Sequence, residues 1–102
     1  MDNRFVDALL AEISKEKADS LGRAGNMLEA ALHELSSFDA HRDLADPDQQ
    51  EQRRRLVWRI ARLVTNFIVQ REACGLADPD YVFEFYRVPP EVIAQLGKRA
   101  KP

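Results

Sequence analysis

From about Asn3 to Phe38 the chain runs without a proline, and its apolar residues recur at three- and four-residue steps. Val6, Leu9, Leu10, Ile13, Leu21, Met27, Leu28, Ala31, Leu32, Leu35 and Phe38 carry the pattern. That spacing predicts one long amphipathic helix. At 100° per residue these side chains occupy nearly half of the helix circumference, more than a single neighbouring helix can cover. The first helix is therefore expected to touch two partners.

Its middle contains Gly22 and Gly25 among Ala18 and Ala24. An interior glycine costs on the order of 1 kcal/mol relative to alanine, so either another backbone approaches closely over this patch or the helix kinks or breaks near Gly22 to Asn26. Close packing is the expectation, because the apolar period continues across the glycines.

A polar stretch from Asp39 to Asp46 follows, and Asp46-Pro47-Asp48-Gln49 then combines an N-cap, a proline at the first helical position and a glutamine placed for a capping box. The second helix, over 47–74, carries Leu56, Val57, Ile60, Leu63, Val64, Phe67, Ile68 and Cys74 on its stripe, and Gly75 is placed as the left-handed residue after it. A short connection makes the pair an antiparallel hairpin in which facing positions sum to about 85. The glycine patch then faces Ile60, Val64 and Phe67.

Beyond Gly75, Asp78-Pro79 repeats the cap-plus-proline signal ahead of an aromatic run, and Val88-Pro89-Pro90-Glu91 opens another short segment. Helices over 79–87 and 90–96 are expected, folding back over the open end of the hairpin. A strand at Tyr81 to Tyr86 would have no second strand to pair with. The fold class is thus all-α, a long antiparallel hairpin plus two short C-terminal helices, and one domain suits 102 residues.

Each helix keeps apolar side chains its partner cannot reach, among them Leu9, Met27, Trp58, Thr65 and Val69. Trp58, Thr65 and Val69 lie off the main stripe of the second helix and form the candidate interface. A homodimer of the four-helix-bundle type is expected, since two-fold dimers are the commonest oligomers.

The segments Leu21-Gly22-Arg23-Ala24-Gly25, Phe67-Ile68-Val69-Gln70-Arg71-Glu72-Ala73-Cys74-Gly75-Leu76 and Val88-Pro89-Pro90-Glu91-Val92 together resemble a family of small all-helical bacterial proteins known only as a domain of unknown function. The resemblance covers most of the chain and implies a proteobacterial, cytoplasmic helical protein. It carries over no activity, cofactor or catalytic residue.

The chemically odd residues are Lys17 and Arg71, each a cation in the middle of an apolar stripe. In the expected register Lys17 lies near Ile68 and Arg71 near Ser14, about one turn apart. Three readings stand: the side chains reach the seam edge and pair with Glu12, Glu16 or Glu72; with Gln70 they form a pocket for a small carboxylate or phosphate; or they receive an acidic segment of another protein. Lys17, Arg71, Gln70 and Glu72 are the candidate polar or anion-binding cluster.

Other chemistry is poorly supported. Glu29 and His33 stand one turn apart, but two ligands do not hold zinc, so no metal and no cofactor is expected. Cys74 has neither a second cysteine nor an adjacent histidine and reads as a packed, inert thiol. The run Arg53-Arg54-Arg55 with Arg59 and Arg62 suggests nucleic acid, yet basic and acidic residues number 15 and 17, and helical geometry spreads the arginines around the cylinder. All-helical enzymes of this size, such as chorismate mutases, need several cations converging on a dicarboxylate. Here only Arg4, Lys17 and Arg71 lie near one end, without that family's spacing, so no catalytic residue is assigned. The acidic residues of the first turns are unlike a secretory signal, and no apolar run approaches the roughly 20 residues of a membrane span. A cytoplasmic protein-interaction module is the resulting expectation.

Overall fold

The computed structural model describes residues 3–98. Four helices follow one another: α1 (Arg4–His41), α2 (Pro47–Ala73), α3 (Pro79–Phe85) and α4 (Pro90–Ile93). No strand occurs among the described residues. α1 is continuous through both glycines and runs past Phe38 to His41, for about 57 Å by helical rise.

The ends of α2 follow the local signals in the sequence. The Asp46 carboxylate accepts a hydrogen bond from the Asp48 amide at 2.9 Å, with Pro47 opening the first turn. Gln49 does not complete a capping box; its Oε1 accepts from the Asp43 amide at 2.7 Å and closes the loop instead. At the other end Gly75 takes φ 82°, and the Leu76 and Gly75 amides donate to the carbonyls of Arg71 and Glu72, a Schellman closure. α3 ends in the same way, with the Val88 amide donating to the Phe83 carbonyl, but there the left-handed position is occupied by Arg87 at φ 51°.

α2 runs back along α1. The Ser20 hydroxyl donates to Gln70 Oε1 at 3.1 Å, and Arg59 and Arg53 reach Glu34 and Asp39. These pairs sum to about 91, not about 85. The reason is at the closed end: α1 holds its helix to His41, which shortens the connection and slides α2 towards the C-terminus of α1.

The core is made where α1, α2 and the C-terminal segment meet. Leu28, Ile60, Val64, Val82 and Val92 are completely enclosed, joined by Ala24, Ala31, Leu35, Leu56, Val57, Ala61, Phe67 and Val88. The C-terminal segment does not fold over the open end of the hairpin as the sequence suggested. It runs along the flank of α2 towards the closed end, because Val82, Val88 and Val92 bury there and Glu91 is held by Arg53.

Gly25 is where the close approach happens. The Phe67 and Tyr86 rings meet edge to face with centroids 5.4 Å apart, and a Cβ on Gly25 would stand 2.9 Å from the Tyr86 hydroxyl and 3.5 Å from the Phe67 ring. The neighbour is thus aromatic side chains, with Ile60 and Val64 packed further towards the closed end. Gly22 faces open space. Replacing Gly22 by alanine is expected to raise stability by up to about 1 kcal/mol, whereas Gly25→Leu lowers it by about 1–3 kcal/mol through overpacking. Urea unfolding of the two variants checks the pair.

Candidate functional surface

Four features carry the polar and exposed chemistry of the molecule: the Lys17 and Arg71 region, the surface around Trp58, a cluster centred on Arg53, and the N-terminal part of α1.

Arg71 is half-buried, and its guanidinium lies over the Tyr81 ring at 4.9 Å and near the Phe67 ring at 5.9 Å. It fastens α3 to the end of α2 by cation–π contact. Gln70 is occupied by Ser20, and Lys17 and Glu72 are exposed. With α2 slid along α1, Arg71 lies beside the turn of Ser20 and not beside Ser14, while Lys17 stands just past the last turn of α2. Neither of the two concavities described below contains Lys17, Gln70, Arg71 or Glu72.

Trp58 is half-buried and divides two hollows. One, of about 640 Å³, is bounded by Leu44, Val57, Trp58, Arg53, Glu91 and Gln95. The other, of about 430 Å³, contains Thr65 and Val69 with Trp58 and continues to Gly97 and Lys98. Val69 is exposed, and Thr65 returns its hydroxyl to the Ala61 carbonyl at 3.0 Å. Arg62 covers the Trp58 ring at 5.0 Å. The three interface residues therefore do share one surface, with the end of the C-terminal segment beside it.

Arg53 was not singled out by the sequence, yet it ties three segments together. Its guanidinium donates to Asp39 on α1 at 2.7 and 3.0 Å and to Glu91 on α4 at 2.7 Å. Those hydrogen bonds hold both carboxyls below the ordinary carboxylate range. Hydrogen bonds from Arg54, with Arg55 second, likewise bring Glu51 down to about 2. Arg59 pairs with Glu34. Arg53, Arg54, Arg55 and Arg59 are thus each matched by a carboxylate.

Cys74 is exposed, not packed. The shifted register carries it beyond the seam, where it caps α2 beside Gly75. Glu29 and His33 are both exposed, and among the described residues no three His, Cys, Asp or Glu side chains converge as metal ligands. No described helix is long and apolar enough to cross a membrane.

The largest unpartnered surface is on α1. Every residue from Asn3 to Asp19 is exposed, and the first with any cover is Ser20. Within that stretch Phe5 is 78% exposed, Val6 50%, Leu9 44%, Leu10 57% and Ile13 43%. α2 has ended by this level. About 24 Å of helix, counted from Arg4 to Asp19, therefore projects past the hairpin with its stripe bare. The sequence held the signal for this overhang in the unequal lengths of the two stripes.

No protein-family model, curated protein or solved structure matches the chain.

The Arg53 cluster sets a pH dependence. A carboxyl with a lowered folded-state pKa stabilises the fold above its unfolded value, about 4, and that contribution disappears as pH falls through the folded value. Arg53→Gln should cost about 1–2 kcal/mol at pH 7, given that both carboxylates are partly solvent-screened, and the deficit should vanish towards pH 2. Denaturant melts of both proteins across that range measure it.

Proposed function

We propose that this chain is a non-enzymatic helical module that works through protein contact as a homodimer. The observation that carries the reading is the overhang of α1, five large apolar side chains on a stripe left exposed among the described residues. Contiguous exposed apolar surface of this extent marks an interaction site. A helical segment of about 15 residues without tertiary packing is also marginal in water, so a partner helix would stabilise the segment it covers.

The remaining chemistry supports the same reading. Arg53 and Glu91, which border the larger hollow, pair with each other, and Arg54, Arg55 and Arg59 pair with carboxylates on α2 and α1. Arg71 is engaged by aromatic rings. The nearly balanced charge, the exposed single thiol and the likeness of Leu21 to Gly25 and Phe67 to Leu76 to a family of small bacterial helical proteins are in keeping with a reducing cytoplasm.

Sedimentation velocity with the purified chain is expected to show a dimer at micromolar concentration. The double variant Leu10→Glu and Ile13→Glu should sediment as a monomer while keeping the near-ultraviolet signal of Trp58 and its tyrosines, because both positions lie outside the hairpin core. A monomeric parent protein overturns the proposal.

A further inference from the structure

Given that homodimer, on which this inference rests, we infer that the two copies join antiparallel through their overhangs alone. Val6 of one copy meets Ile13 of the other, Leu9 and Leu10 lie about the two-fold axis, and the hairpins point to opposite ends of a rod. A second copy of this chain is the occupant of the bare stripe.

Length is the first argument. The stripe that begins at Val6 is continuous with the one that α2 covers from Leu21 onwards, and exposed Lys17 marks the changeover. Beyond the end of α2, the line it followed along α1 is vacant for about 24 Å. An antiparallel overhang centred on Leu9 and Leu10 enters that line, and its own first turn stops at about Lys15, just before the level of Cys74 and Gly75. The entering segment, Arg4 to Lys15, is about 18 Å long and fits within the vacant length.

Area is the second. With each large apolar side chain able to present roughly 150–250 Å², the five exposures amount to roughly 500 Å² per copy. A symmetric pair then removes roughly 1,000 Å², the lower bound for a specific interface. Covering only part of the stripe would fall below it, so the pair needs the whole overlap.

The ends of the overlap supply the third argument. Phe5, the most exposed of the five, would in a parallel pair meet only its own counterpart. In the antiparallel pair it arrives at the open end of the other hairpin, where Leu76 and Tyr81 are themselves exposed. Each copy thereby covers apolar surface that the other leaves bare at the same level.

Charge selects the occupant. From Arg4 to Asp19 the cations are Arg4, Lys15 and Lys17 and the anions Asp7, Glu12, Glu16 and Asp19. A helix that lies on an anionic membrane carries a lysine- and arginine-rich polar face, which this segment lacks. The net charge of the segment is only −1, so two identical copies carry little overall repulsion.

One copy is 70 Å long, so an antiparallel overlap of about 18 Å, from Arg4 to Lys15, makes a rod of about 120 Å. Its closed ends, each bearing a Trp58 surface, face outwards. Small-angle X-ray scattering on the dimer peak is expected to give a maximum dimension near 120 Å. In a Cys74→Ser background, oxidation of a mixture of Val6→Cys and Ile13→Cys chains should yield the mixed disulfide and little of either self-linked species. Like positions in the antiparallel pair are about seven residues, or 10 Å, apart along the axis, outside disulfide reach. A dimer of about 70 Å, or Val6→Cys chains that link to themselves, overturns the antiparallel rod and leaves the homodimer standing. A monomeric parent protein, or one that floats with phosphatidylserine vesicles and gains helix there, overturns both.

Discussion

A helix can bury its apolar residues only as far as another helix accompanies it. Here α1 is 38 residues long and α2 is 27, and α2 starts level with the loop beyond the end of α1, so the uncovered part of α1 lies at the open end. The rest of the molecule is arranged by that inequality. Leu28, Ala31 and Leu35 have α2 beside them and are enclosed; Phe5, Leu10 and Ile13 belong to the same stripe and are not. Stability is concentrated in the accompanied part, where α3, Val88 and α4 add a third side to the core.

The electrostatics serve that same closed part. Arg53 joins α1, α2 and α4 through two carboxylates, and Arg71, beside Phe67 on its own helix, holds α3 through the face of Tyr81. Both arginines act on segments that would otherwise be attached by a few valines. A charged hydrogen-bonded contact of this kind defines register more sharply than apolar burial does, since it depends on direction as well as area. Arg53, from the basic run on α2, is therefore part of the packing scheme.

Much of this was legible in the residues. The continuous stripe announced α1, and Asp46-Pro47, Asp78-Pro79 and Gly75 marked element ends that the backbone follows closely. The glycine patch was read as a place where another backbone comes close, but Gly22 faces open space and Gly25 meets the side-chain rings of Phe67 and Tyr86. The register was not legible. Whether α1 stops at Phe38 or His41 is worth only a fraction of a turn in local preference, but it moves every facing pair along the hairpin. Cys74 left the seam for that reason. The direction taken by α3 and α4 was equally hidden, because a short apolar segment such as Val88 to Val92 fits either end of a hairpin until a distant partner, Arg53, chooses one.

What the sequence determined by itself is the set of elements: four helices, their caps, and an apolar stripe on α1 longer than its neighbour can cover. Those are consequences of spacing and of local backbone chemistry, which act within a turn or two. Only the tertiary structure decided which part of that stripe is sheltered, that Trp58 divides two hollows, and that Lys17 stands at the border between covered and bare helix. Such facts depend on how far one helix slides along another, and sliding is settled by the summed fit of many distant side chains, none of which carries the answer in its own neighbourhood.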